Sequence, residues 1–420
     1  MMYIRDLIRK KRDKQELTQD EARFFIFSYF KNEILNEQAA ALLTLMYTNG
    51  ITSKEMAYLT KAMAETGVEC ELYKISNRIV DIHPIGGMDD KIIIMLNAII
   101  ASLGIPICKT VGREIGILDK LNKIKTYQLE NDLKSIQQSI KNKEITIIEE
   151  PYNIAPVENK LYKLRNDIAC NDDPSLIAMN LMSQKLAIGV RNIVFDISYG
   201  ESAYIKTYQK AKILSKYLVQ LGKELERNVK CIITKLDEPV GHFFGSQLET
   251  EEILKGLQGE MEEDVKELLL ELGNNVLMLS DKSTNTKENK RKILEVIRNG
   301  QAYEKLLNAL PNYNYQKANH IIPVMSKEDG YVKEINVSKI RVNAKYLNAI
   351  RHNKDDILDI SAGIQLNKKI GEQVNIGEIL GYIHTNDETK IANSVEMLKN
   401  AFVISNQKVK KTSRIVGNIF

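Results

Sequence analysis

Five histidines, four cysteines and one glycine turn are the residues in this chain whose types could do more than pack. His83, His242, His320, His352 and His384 have no metal-ligand spacing, so neither a metal nor another cofactor is expected. Cys70, Cys108, Cys170 and Cys231 form no CxxC pair and read as reduced thiols in a cytoplasmic protein. The glycine turn is different. His83, Pro84, Ile85, Gly86, Gly87, Met88, Asp89 and Asp90 separate two apolar runs and read as a strand turning into a helix N-terminus. Backbone N–H groups at such a terminus attract anions, although glycine turns of this kind are common in α/β proteins. Glu238 to Glu252 supply acidic side chains that could coordinate a cation, and Lys282 to Lys292 reads as a solvated loop and helix start.

The elements that must position these groups fall into three textures along 420 residues. Residues 1–66 read as helices. Thr18 with Glu21 and Thr52 with Glu55 are capping-box pairs, Asn36 is a candidate cap, and Gly50 and Gly67 are stops. From residue 78 the runs RIVDIHPI, IPICKTVGR, KEITIIEEP, NIVFDISYG and KCIITKLDEP read as strands alternating with helical stretches, which predicts a mostly parallel sheet. Leu161 to Gly189 breaks that alternation and is expected to rejoin the first helices. Past Pro323 come short β-like runs punctuated by glycines. The expected division is a helical domain (1–66 and about 157–190), an α/β domain (about 67–156 and 191–322) and a β-rich C-terminal domain (323–420), with Ala318 to Pro323 as the boundary.

Charge and hydropathy narrow the partners. Lys and Arg total 59 against 55 Asp and Glu, a net +4 that lacks the basic excess of a general nucleic-acid binder. With 44% hydrophobic and 27% charged residues, the chain is not mostly disordered. The longest apolar run, Ile92 to Leu103, contains Asn97 and is shorter than the ~20 residues a membrane helix needs. MMYIRDLIRKKRD lacks a signal peptide's apolar stretch. The expectation is a soluble cytoplasmic protein with a small-molecule ligand, no nucleic acid and no membrane.

Four segments together resemble the pyrimidine-nucleoside and thymidine phosphorylase family: IRDLIRKKRDKQELTQDEARFFIFSYF, IHPIGGMDDK, YKLRND and KKIGEQVNIGEILGYIHTND. The likeness runs in order over nearly the whole chain. It implies a helical domain that makes a homodimer contact, a mixed or parallel-sheet α/β domain across a cleft, and a small β-rich (α+β) C-terminal domain. It also implies phosphorolysis of a pyrimidine nucleoside to free base and sugar 1-phosphate, a pentosyl transfer. That reaction needs donors to replace the water of a phosphate dianion, polar groups on the base edge, and a cleft that excludes water.

On the phosphate side the family turn reads roughly Lys-His-Ser-x-Gly-Gly-x-Gly-Asp. Here Ile82 stands for the lysine, Pro84 for the serine and Asp89 for a glycine, while His83, Gly86, Gly87 and Asp90 match. Proline removes a hydroxyl and an N–H together, and a carboxylate at Asp89 caps a helix and repels an anion. Ile93 replaces a serine used for phosphate. In the second segment Val111 replaces a serine, Gly112 and Arg113 match, and a His-Thr-Gly-Gly-Thr loop is absent between Gly116 and Asp119. Losing three charge-assisted hydrogen bonds costs on the order of 5 kcal/mol, more than a thousandfold in affinity. Lys91, Lys109 and Arg113 are the nearby cations that could rebuild the site.

On the base side Tyr162 and Arg165 match the family's Tyr-x-x-Arg, and Ile177 matches an apolar contact. Asn180 replaces a serine and Gln184 a lysine. Spaced four apart they share a helix face, and their amides can read a heterocycle edge without supplying the ammonium that stabilises a departing anion. The family reading puts His83 and Arg165 at the reacting groups. Three functions stay open: a pseudoenzyme-like protein binding a nucleoside or nucleobase with ordinary phosphorolysis lost or altered, an active glycosyltransferase using phosphate or another nucleophile, and a non-catalytic partner subunit.

Overall fold

The computed structural model describes residues 2–86, 90–111, 133–142, 145–149, 154–308, 315–351 and 356–419. Four helices open the chain: α1 (Ile4–Arg12), α2 (Gln19–Phe30), α3 (Asn36–Asn49) and α4 (Ser53–Ala64). Thr18 and Thr52 close the capping boxes that start α2 and α4, each hydroxyl accepting from the backbone N–H of Glu21 or Glu55. The third start differs from expectation. Leu35 is the cap, its N–H donating to Gln38 Oε1 at 3.2 Å, and Asn36 is already helical. Glu55 does more than cap. Buried, it also accepts from Lys11 Nζ at 2.9 Å and from the Leu17 N–H at 2.8 Å. That contact fixes α1 and the following turn to α4.

The middle of the chain alternates strand and helix: β1 (Val80–Ile85), α5 (Asp90–Ser102), β2 (Ile107–Val111), α6 (Leu133–Lys141) and β3 (Ile145–Glu149). Two helices then intervene, α7 (Pro156–Asp167) and α8 (Pro174–Ile188), before β4 (Asn192–Tyr199), α9 (Tyr208–Glu224) and β5 (Asn228–Lys235). Helices α7 and α8 leave the sheet and pack against α2, α3 and α4. After the two-residue strand β6 (Phe243–Phe244) come α10 (Ser246–Leu257), α11 (Glu263–Ser280), α12 (Thr286–Arg298) and α13 (Gln301–Asn308). The C-terminal part holds β7 (His320–Met325), β8 (Gly330–Ile335), α14 (Val337–Tyr346), β9 (Gly363–Leu366), β10 (Gln373–Val374), β11 (Ile379–Thr385), α15 (Ile391–Lys399), β12 (Phe402–Ser405) and β13 (Ile415–Ile419).

The main sheet runs β13-β5-β4-β1-β2-β3, with β1 to β5 all parallel and β13 antiparallel on β5. One face carries α5, α11, α12 and α13 on an isoleucine- and leucine-rich core; the other carries α9 and, through α4 and α8, the helical layer. Two smaller antiparallel sheets, β6-β9-β11-β7 and β10-β8-β12, form the C-terminal part. Two strands cross between units. β6 joins the C-terminal sheet, and β13 adds to β5 rather than to the rest of residues 323–420, because β5 otherwise exposes an edge of unpaired N–H and C=O groups. No helix among the described residues is long and apolar enough to cross a membrane.

Candidate functional site at the sheet's switch point

From β1 the chain winds outward through β2 and β3, then returns to the opposite side of β1 for β4 and β5. In open parallel sheets the crevice beyond the carboxyl ends at such a reversal is where ligands bind. Here that point lies between β1 and β4, so the turn after Ile85 and the loop after Tyr199 form its rim. The two are tied directly: the Tyr204 N–H donates to Gly86 O at 3.2 Å. Gly86 needs its φ of +81°, and a Cβ there would sit 3.1 Å from Ser198 O and 3.2 Å from Tyr204 Cβ.

Strand alternation sorts β1 into two faces. Asp81 and His83 point toward α8; Ile82 points into the core with α5 and α11. Lys185 of α8 reaches down to this strand, pairing with Asp81 at 2.6 Å while its Nζ lies 3.1 Å from His83 Nδ1. Lys109 of β2 comes from the other side, donating to Ile82 O at 3.0 Å, with Nζ 3.4 Å from the same Nδ1. An ammonium can only donate, so Nδ1 is the acceptor and the His83 proton resides on Nε2. Burial first, then Lys185 and Lys109, keep the imidazole well below its usual pKa, so His83 is neutral at physiological pH. Its ring stands edge-on to Phe195, centroids 5.9 Å apart. Burial likewise lowers the Lys109 ammonium to about 8, with Asp81 opposing and Lys185 reinforcing the shift.

The expected phosphate positions divide. Ile82 and Ile93 are fully buried in the apolar core on the α5 side, so neither side chain faces the cleft. Pro84 and Gly86 stand on the rim, half-buried. Val111 ends β2, and Gly87, Asp89 and Arg113 lie outside the described residues. Of the cations near in sequence, Lys109 enters the site and Lys91 does not. Lys91 is buried at the start of α5, where it donates to Phe243 O at 2.8 Å, pairs with Glu252 and lies over the Phe244 ring. The second Glu252 oxygen takes the His242 N–H at 2.6 Å. The acidic segment expected to coordinate a cation thus holds the chain's own ammonium.

The base-side residues come together on α7 and α8. Arg165 and Glu158 are two helical turns apart on α7 and form a buried ion pair at 3.2 Å. Arg165 Nη1 also donates to Leu176 O at 2.7 Å, and its Nε has no hydrogen-bond partner among the described residues. Asn180 Nδ2 contacts the same Glu158 oxygen. Gln184, one turn on, is buried, and Asn180 is half-buried, so this face is turned inward rather than to solvent. Ile177 is buried beside them, while Tyr162 is exposed with its ring 5.8 Å from the Arg165 guanidinium.

Two participants escaped the sequence reading. Glu158 sits in the first turn of α7, where an acidic residue normally needs no further reason. Tyr204 extends from the β4–α9 loop and donates its hydroxyl to Asn171 O at 2.5 Å, in the α7–α8 connection. Together with the Gly86 contact it bridges the α/β rim and the helical layer, next to Tyr162 and Arg165. The only sequence signal was an aromatic in a small-residue loop after a strand.

Comparison with known proteins agrees with this architecture. "Glycosyl transferase family, helical bundle domain" matches residues 5–67, "Glycosyl transferase family, a/b domain" residues 76–303, and "Pyrimidine nucleoside phosphorylase C-terminal domain" residues 331–405. The pyrimidine-nucleoside phosphorylase of Staphylococcus epidermidis is 32% identical, covering 97% of this chain and 97% of that protein. Those of Staphylococcus aureus (98% and 98%) and Staphylococcus haemolyticus (95% and 97%) are also 32% identical. A solved structure, anthranilate phosphoribosyltransferase from Thermus thermophilus, shares the fold with a TM-score of 0.59 at 14% identity, covering 73% of this chain and 98% of that one. By matched domains and by full-length relatives, the chain belongs to the pyrimidine-nucleoside phosphorylase family of glycosyl transferases.

Proposed function

We propose that this protein binds a pyrimidine nucleoside or nucleobase in the cleft between the helical layer and the sheet, with ordinary phosphate-dependent cleavage lost or altered. The observation that carries this reading is an asymmetry between the two halves of the cleft. Arg165, Asn180 and Gln184 converge as polar groups on an inward face, with Ile177 and Tyr162 beside them. On the anion side, Ile82 and Ile93 are core residues and Pro84 brings no N–H. In this reading His83 presents an Nε2–H donor and Arg165 grips the base. The N-terminal helices, with Phe30, Leu35 and Tyr47 exposed, support a homodimer through the helical layer.

Calorimetric titration with uridine, thymidine and uracil tests the binding; Arg165→Ala is expected to weaken it at least tenfold. A second reading, an active glycosyl transferase, is favoured by Lys109 beside His83 and by the named activity of relatives at 32% identity. If phosphate binds there, its affinity must fall as the pH rises through about 8, where Lys109 loses its charge. Phosphate affinity flat from pH 7 to 9 removes Lys109 from that role.

A further inference from the structure

The C-terminal part reaches the crevice rim through the start of α14. Asn336 caps that helix by accepting from the Lys339 N–H at 2.9 Å. The Ser338 N–H, an orphan donor of the first turn, goes to Ser202 Oγ at 3.1 Å. Val337 packs with Ala203 and Leu236. The first turn of α14 is thus docked on the 200–205 loop and on the end of β5.

Arg341 lies three residues beyond Ser338 and four beyond Val337, so it shares their face of the helix. Its side chain is half-buried and makes no hydrogen bond or ion pair among the described residues. An arginine carries five N–H donors, so one left half-buried without an acceptor points to a partner outside the chain. The carboxylate whose field reaches it is Asp90, which opens α5 after β1. The same carboxylate acts on Lys109. Arg341 therefore stands over the carboxyl ends of the sheet, near enough to the start of α5 for Asp90 to act on it.

Holding the parts together does not require this arginine. Lys369 and Arg414 do that by pairing with Asp264, and Arg341 makes no such tie. The Asp81–Lys185 pair is balanced in itself. Among the described residues that leaves two cations, Lys109 and Arg341, facing one carboxylate, Asp90. We propose that Arg341 is an anion-binding residue that the C-terminal helix brings to the crevice, where its guanidinium takes an oxyanion presenting two oxygens. Phosphate and carboxylate groups share that chemistry. The inference rests on the crevice as the ligand site and goes beyond the proposed function, because the anion-holding group comes from α14 and not from the glycine turn.

The test titrates the full-length protein with inorganic phosphate and, separately, with acetate, by calorimetry at pH 7 and pH 9. Arg341→Ala is expected to weaken the oxyanion that the parent binds at least tenfold; Arg341→Gln, which keeps the length of the side chain, serves if the alanine variant does not fold. Weakened phosphate marks a phosphoryl group as the ligand, and weakened acetate a carboxylate. The ratio of parent to variant affinity should be equal at the two pH values, since a guanidinium keeps its charge across that range. A ratio that vanishes at pH 9 assigns the anion to Lys109 and overturns the proposal. So does a parent that binds neither oxyanion at millimolar concentration, or a folded variant that binds as the parent does. Uridine titrated into the same samples separates this inference from the reading beneath it. Uridine bound without any Arg341-dependent oxyanion leaves base binding standing and sinks the role of Arg341. An Arg341-dependent oxyanion without uridine binding upholds that role and counts against base binding alone.

Discussion

His83 is held between two ammonium groups, and that decides what it can do. With Nδ1 accepting and the ring half-buried between the two ammonium groups, it is a hydrogen-bond donor through Nε2 and not a proton source at neutral pH. Its NMR signals should show the neutral tautomer throughout pH 7.5 to 6; protonation near the ordinary 6.5 contradicts this environment. The sign for stability follows. Because the folded value is depressed, the contribution is complete above 6.5 and is lost as the pH falls below it, when only the unfolded chain takes up the proton. The Asp81–Lys185 pair beneath it is fully buried. Lys185→Met strands a carboxylate, and chemical denaturation should show a loss of about 3–5 kcal/mol. A loss below about 1 kcal/mol would mean Asp81 has another cation or is protonated.

Strands and helices of this chain were legible wherever one segment carried its own pattern. β1 to β5 are short apolar runs bounded by turn residues, and α2 and α4 announce themselves by their capping boxes. What stayed hidden depends on partners far apart in sequence: Lys185 with Asp81, Lys91 with Glu252, Tyr204 with Gly86, Glu158 with Asn180. A match to a known motif singled out Tyr162 and Arg165, and Asn180 only as a replacement for its serine, yet type alone could not show that Ile82 is buried on the α5 side. At this scale the rim contact is the sensitive one. Gly86→Ala places a Cβ against Ser198 O and Tyr204 at positive φ, and should cost about 1–3 kcal/mol. It should also release the 200–205 loop, visible as faster amide exchange at Tyr204; unchanged exchange there would sever the proposed link between the two rims.

The three parts of the molecule are stitched by charge as well as by strands. Lys369 of the C-terminal part and Arg414 before β13 both reach Asp264 of α11, at 3.2 and 3.3 Å, with Glu238 close by. Burial pushes the Asp264 carboxyl up, but the two cations hold it far below its usual 3.8. Its contribution is therefore intact above that value and fades only as the pH drops below it. Asp264→Ala leaves two buried cations sharing Glu238, and should lower stability by about 3–5 kcal/mol in denaturant titrations. These ties brace the sheet edge opposite β3, away from the β1–β4 crevice, where Tyr204 bridges the rim and the helical layer. The proposed function assigns to this crevice base binding without ordinary phosphate use. Incubating the protein with uridine or thymidine, with and without saturating phosphate, tests it most directly. Nucleoside binding without phosphate-dependent base release is expected; release that requires phosphate at an ordinary enzymatic rate, roughly 1–10³ per second, overturns the proposed function.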